Sequence, residues 1–489
     1  MIKNFKWLLL VSLSFVACNN DDEDSAPVEV PITSGTASFA KYVALGDSFA
    51  AGYSDSALFK AGQETSYVNL LAQQFVPAGG VAITIPYMSD NIGGLLLGGN
   101  VIAGTRLYFD GKGPVPVSGK PTTEVTNHLA GPFNNLGIPG AKSYHLVAPG
   151  YGNVAGVATG KSNPYYVRFA TSPTSTVLAD AMVQTPSFFS LFIGGNDVLS
   201  FATSGGVGVN QTGNLDPSTY GGNDITDPNV FASVYNALVN GLTANGAKGV
   251  VANLPYVTAL PYFTTVPYNP VPLTEALATQ LNAGFAQYNG GLQQMVANKL
   301  LSADEAARRT IKFAAGNNAV VIVDSYLTDL SKYGVPSYRQ VTKEDLVVLT
   351  ARTFIGTLVG NDPTKINGVS VPLADQWVLS KDEVNEVVAA TDAYNKTISS
   401  IAESKGLALV DTKSAMSQLA LTGVRFGNYH MTAAYVTGGA FSLDGVHPTP
   451  RGYAFIANLF INAINAKYEA TLRTVNLEGY QTLFPSSLQ

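Results

Sequence analysis

The sequence runs to 489 residues with a net charge of −6, and only 13% of its residues are charged. Setting aside Lys3, Lys6 and the acids Asp21, Asp22, Glu23, Asp24 and Glu29 leaves a net charge of −3 for the remainder. A nearly neutral chain offers no basic patch from which nucleic-acid affinity is drawn, so nucleic acid is excluded as a partner. Cys18 is the only cysteine, which excludes an internal disulfide, and no spacing of His, Cys, Asp or Glu suggests a metal; no cofactor is expected.

Residues 1–17 place Lys3 and Lys6 ahead of an apolar stretch from Trp7 to Val16 and the small residue Ala17. That stretch is too short to span a bilayer and reads as a secretory signal. Phe15-Val16-Ala17-Cys18 resembles a bacterial lipobox with phenylalanine where leucine is usual, which implies cleavage before Cys18 and lipidation of its thiol. The expected membrane partner is reached through that anchor. Behind it, an acidic run and a Pro-, Ser- and Thr-rich stretch to Ser38 cannot bury enough apolar surface to order themselves, so residues 18–38 read as a flexible tether. An acidic run after a lipidated cysteine also resembles surface-export signals of some Gram-negative lipoproteins, implying an exported chain anchored to the outer membrane and facing outward.

The folded domain is expected over residues 39–489. Its first strand, residues 41–45, closes on Gly46-Asp47-Ser48, and a serine at the end of a buried strand presents its hydroxyl at the carboxyl edge of a sheet, where open α/β folds bind ligands. Residues 66–75 read as a helix with Tyr67, Leu70, Leu71 and Phe75 on one face, and residues 81–85 as a second strand. Residues 187–193 and 249–254 are further strands, joined by a helix from Pro228 to Ala244 that stops at Asn245-Gly246. Strand, helix, strand implies parallel pairing.

Two later units look alike. One is a helix from Thr274 to Met295 followed by a strand at 319–324; the other starts at the capping box Ser380-Lys381-Asp382-Glu383 and leads past Gly406 to a strand at 407–410. The second helix buries a stripe of Val384, Val387, Val388, Thr391, Tyr394, Ile398 and Ile401. A five-stranded sheet needs only one unit, so the earlier is assigned to an insertion spanning about residues 200–380. The last helix has Thr449 as N-cap and Pro450 at its first position, and packs back through Tyr453, Ile456, Phe460 and Ile464.

Just before that helix stands Asp444-Gly445-Val446-His447-Pro448. A serine hydroxyl is a poor nucleophile until a histidine takes its proton, and a carboxylate three residues away can fix the tautomer of that histidine. Two further blocks, Asn135-Leu136-Gly137-Ile138-Pro139-Gly140 and Gly194-Gly195-Asn196-Asp197, offer the close-approaching N–H groups and the side-chain amide that an oxyanion needs.

These four blocks, in this order, resemble the SGNH or GDSL hydrolases, with Phe49 where the GDSL name has leucine. The resemblance implies Ser48 as nucleophile, His447 as base, Asp444 as its orienting acid, and an oxyanion hole from the Ser48 N–H, Gly140 and Asn196. It implies a three-layer α/β/α, flavodoxin-like fold with a parallel central sheet and long insertions, acting as a serine esterase through an acyl-enzyme. An α/β-hydrolase also orders its triad Ser, Asp, His, but its Gly-x-Ser-x-Gly elbow would need glycine at Ala50 and would follow a central rather than the first strand.

The remaining histidines, His128, His145 and His430, read as loop or packing residues, and Asp47 and Asp197 as buried acids that tie loop N–H groups. For substrate, the apolar loop Ile92–Leu97 is expected to receive an acyl chain, and Tyr256, Tyr262, Phe263 and Tyr268 to stack on sugar rings. Lipid or simple acyl esters are the favoured class, acetylated carbohydrate the alternative. A surface glycan-binding lipoprotein without turnover is a further reading, against which the complete set of blocks counts.

Overall fold

Five buried strands carry the molecule in the computed structural model, which describes residues 31–488. The signal segment, Cys18 and the acidic run lie outside these residues. The strands are β1 (Tyr42–Gly46), β2 (Asn135–Gly137), β3 (Phe188–Phe192), β4 (Lys248–Ala252) and β5 (Ala408–Val410). All pair in parallel, in the order β5-β4-β3-β1-β2. β1 and β3 are buried at every position, as strands covered on both faces must be. Their register runs from Tyr42 opposite Phe188 to Gly46 opposite Phe192, so both end at the same level.

The helices that matter to the site are α1 (Ser48–Ala51), α2 (Tyr67–Phe75), α3 (Asn196–Thr203), α4 (Pro228–Thr243), α5 (Glu275–Ala297), α6 (Lys381–Ser404) and α7 (Pro450–Tyr468). One face of the sheet is aromatic. Phe75 and Tyr67 of α2 and Phe460 and Tyr468 of α7 meet Tyr42, Phe188 and Phe192 there, with ring centroids 5.0–6.2 Å apart. The other layer is built on α4 and α6, where Phe231 stacks on Tyr394 at 4.2 Å. Asp227 caps α4, and α6 begins with the expected box, Ser380 and Glu383 each accepting from the other's backbone N–H.

Parallel order with β1 between β3 and β2 creates a reversal point in the winding, and open α/β sheets bind ligands at the carboxyl ends of the strands there. Ser48 follows β1 directly and Asn196 opens α3 after β3.

Three expectations need correction. Residues 81–85 are not a strand: Val81 is 58% exposed, and the second strand is instead Asn135–Gly137, the glycine-bearing block itself. The tether does not extend to Ser38, because Thr33 bonds to Thr471, Thr36 bonds to Tyr468 and Ala37 is buried, all within the compact unit that runs from Ile32. Insertions are not confined to residues 200–380. The expected one holds α5 and antiparallel pairs outside the main sheet, among them Val321–Val323 with Tyr338–Gln340, but two more hairpins precede it, Leu95–Leu97 with Asn100–Ala103 and Leu107–Phe109 with Pro114–Pro116.

Candidate active site

The end of β1 is shaped by glycine. A Cβ on Gly137 would lie 2.3 Å from the Ala51 N atom, and one on Gly46 would lie 2.6 Å from the Phe192 carbonyl oxygen. Their absence lets α1 settle on the strand ends, with Asp47 accepting the Phe49 N–H at 3.0 Å as its N-cap. Ser48 is thereby held, 95% buried, at the sheet edge.

Some 400 residues later the chain returns to it. Ser48 Oγ and His447 Nε2 are 2.9 Å apart, and His447 Nδ1 is 2.8 Å from Asp444 Oδ2. Asp444 Oδ1 accepts the backbone N–H groups of Val446 and His447. Burial alone would raise the Asp444 carboxyl, but the His447 ring, its charge and these N–H groups hold it at about 2, so it stays ionised. Gly445 adopts φ +74°, which a left-handed turn requires, and its carbonyl accepts the Tyr262 N–H. Thr449 then caps α7 by accepting the Gly452 N–H, so His447 sits in a loop fixed at both ends.

A clamp that no motif announces holds this loop from the other side. Ser54 Oγ donates to the Pro448 carbonyl, the Asp55 N–H donates to Ser442 Oγ, Asp55 Oδ1 accepts the Leu443 N–H, and the Ser56 N–H donates to Asp444 Oδ2, all at 2.9–3.0 Å. Asp55 and Ser56 adopt φ of +50° and +64°, a strained pair for residues with side chains, sustained by these four bonds. Burial pushes the Asp55 carboxyl up to about 7, and nearby Asp444 adds to the rise.

The other two blocks meet the first through the sheet. β2 pairs with β1, Gly46 opposite Gly137, and the Ile138 N–H donates to the Gly46 carbonyl. Gly140 adopts φ +79° in the turn that follows, and its N–H donates to no acceptor among the described residues. Asn196 Nδ2 donates to the Ala141 carbonyl at 3.0 Å, which ties the third block to the second and leaves the second amide hydrogen for a ligand. Asp197 accepts the Ser143 N–H and hydroxyl from that same loop; burial raises its carboxyl against these bonds. Burial likewise raises Asp47 to about 7.

The other histidines stand apart. His128 bonds to the Ala170 carbonyl and His430 to the Thr422 carbonyl. His145 stacks on Tyr151 at 4.3 Å and accepts the Lys142 N–H; burial and the Lys142 charge lower it to about 3.

Two spaces lie close by, one lined by His447 and the other by Phe49 and Pro448. An open cleft of about 690 Å³ spreads from His447 and Asp444 over Tyr53, Tyr262, Arg352 and Tyr435. A narrow apolar cavity of about 60 Å³ lies behind Phe49 and Pro448, the residues that follow Ser48 and His447, with Phe192, Met416, Phe441 and Phe455 around it. Of the aromatic residues expected to meet sugars, Tyr262 lines the cleft, Phe263 is buried, and Tyr256 is tied to Asp392 and Lys413. The loop Ile92–Leu97 lines neither space, and Leu95 packs instead with Leu58, Met88 and Val125. Tyr53, Arg352 and Tyr435 come from loops without a motif, and only the fold could have found them. Among the described residues no group of three or more His, Cys, Asp or Glu is arranged to hold a metal ion.

A family model described as GDSL-like Lipase/Acylhydrolase matches residues 42–460. No curated protein matches the chain. Among solved structures, Axe2, an acetylxylan esterase from Geobacillus stearothermophilus, is 12% identical, with 90% of this chain and 100% of that one covered and a TM-score of 0.34. LAE5, an alpha/beta hydrolase enzyme from the metagenome of Lake Arreo, Spain, is 11% identical, with 88% and 96% covered and a TM-score of 0.33.

Proposed function

The chain belongs to the GDSL-like lipase/acylhydrolase family and is a carboxylic ester hydrolase, and from that premise we propose that Ser48, His447 and Asp444 are its catalytic triad. The observation that carries the proposal is the unbroken chain of contacts, 2.9 Å from Ser48 to His447 and 2.8 Å from His447 to Asp444. Ser48 Oγ attacks the ester carbonyl while His447 Nε2 takes its proton. The tetrahedral oxyanion is met by the N–H groups of Ser48 and Gly140 and the free amide hydrogen of Asn196. His447 returns the proton to the departing alcohol, and water, deprotonated by the same nitrogen, releases the acid from the acyl-enzyme.

Lipid or simple acyl esters are the substrate class we favour. The apolar cavity behind Phe49 and Pro448 supports this reading, since it is lined by the residues that follow Ser48 and His447 and has an almost wholly apolar wall. A second reading, O-acetylated carbohydrate, is supported by Tyr53, Tyr262 and Tyr435 in the open cleft, aromatic faces suited to sugar rings. Initial rates on nitrophenyl acetate, longer nitrophenyl esters and acetylated xylan separate the two. Rates rising with chain length support the first; turnover of acetyl esters alone, xylan included, supports the second. Lipidation at Cys18 and an outer-membrane location, rooted in the N-terminal sequence, complete the proposal, and incorporation of labelled palmitate that is lost in Cys18→Ser would bear on it.

A further inference from the structure

The cleft beside His447 holds two cations that the chemistry of ester cleavage does not use. Lys112 stands in the turn between Leu107–Phe109 and Pro114–Pro116, and Arg352 in the 3-10 turn Leu349–Thr353. They belong to different insertions, which converge on the same space. Both are exposed, and neither side chain forms an ion pair or hydrogen bond among the described residues. The buried arginines differ: Arg106 and Arg168 bond to backbone carbonyls, Arg309 to backbone carbonyls and Glu305, and Arg339 to two carboxylates. Asp444 is the one carboxylate lining the cleft, and it faces His447 and backbone N–H groups. Asp110, two residues from Lys112, is engaged by the Lys112 and Gly113 N–H groups. Both acids are thus engaged by N–H donors, while Lys112 and Arg352 are the unpaired charges that the cleft offers to a ligand.

Which half of the ester enters this cleft follows from the proton path. The alcohol oxygen must accept its proton from His447 Nε2, so the alcohol half lies on the His447 side of Ser48. His447 lines the cleft; Ser48, Gly140 and Asn196 do not. Resting on the reading of Ser48 and His447 as nucleophile and base, we infer that the alcohol half of the substrate carries an anionic group, which Arg352 and Lys112 bind. The group is a carboxylate or a phosphate, both of which a guanidinium and an ammonium meet with charge-assisted hydrogen bonds.

The test compares three aryl acetates that differ only in the alcohol: 4-acetoxybenzoate, 4-acetoxyphenyl phosphate and the neutral methyl 4-acetoxybenzoate. Each kcat/KM is divided by the hydroxide-catalysed rate of the same ester, to remove leaving-group chemistry. The wild type is expected to favour a charged ester by roughly tenfold, chiefly through KM, with the preference collapsing in about 0.5 M salt because exposed charges are screened. The better of the two anions identifies the group. Arg352→Ala and Lys112→Ala each shrink the ratio, the double variant abolishes it, and Arg352→Lys retains most of it. A wild type that treats all three esters alike, or a preference that survives in the double variant, overturns the inference while Ser48-dependent turnover leaves the triad standing. A wild type that hydrolyses none of them overturns both.

Discussion

Asn196 shows how much a single side chain is asked to do. One amide hydrogen holds the Ala141 carbonyl and the other is left for a ligand, so in the proposed mechanism the residue both shapes the oxyanion hole and works in it. Asn196→Ala should lower kcat by about 10²–10³, or about 3 kcal/mol of barrier, with little change in KM. A loss in kcat smaller than about fivefold would remove Asn196 from the oxyanion hole. At this scale the grouping of Ser48, Asp444 and His447 was legible because Asp-x-x-His needs only a short loop to make its internal contact. Ser442 and the Ser54-Asp55-Ser56 clamp were not, since Asp55 meets Ser442 across 387 residues of chain and a turn of small polar residues looks the same wherever it lies.

The elements that announced themselves are those whose burial is written locally. β1 is an apolar run, β3 is one broken only by Ser190, and α6 has both its box and its stripe. β2 was missed because it is three residues long and reads Asn-Leu-Gly, with no β-branched side chain. Residues 81–85 have the β-branched pattern, but only Ile85 is buried and Val81 is 58% exposed. The cost of that short strand is its dependence on glycine. Gly137→Ala places a methyl group against the Ala51 N atom, where the gap is 2.3 Å, and must displace α1. We expect about 1–3 kcal/mol of lost stability together with lower turnover, because α1 carries Ser48. An unchanged melting temperature would mean that the strand end yields more easily than its geometry indicates.

For the molecule as a whole, the acids set the pH response. Burial raises Asp47, Asp55 and Glu383 to about 7 each, above the usual carboxylate range. A raised folded pKa means that the native state holds these protons longer than the unfolded chain, so stability is lost as pH rises from about 4 to about 7. Asp444, held at about 2, works the other way and loses its contribution as pH falls below about 4. Calorimetric melting should therefore peak in mildly acidic solution and be lower at pH 8 than at pH 5, with Asp47→Asn or Asp55→Asn flattening the decline. A melting temperature that climbs steadily to pH 8 would contradict this reading of the buried acids. The parallel pairing was legible from alternating strands and helices, and the three-layer plan from the family resemblance. What the insertions do was not, because loops take their position from the sheet edge they cross rather than from their own sequence.

The most direct test of the central claim is labelling of the purified protein with a fluorophosphonate probe, comparing wild type, Ser48→Ala and His447→Ala. The triad predicts labelling of the wild type and none of either variant. Labelling that persists in Ser48→Ala, or a folded wild type that takes up no label, would contradict it.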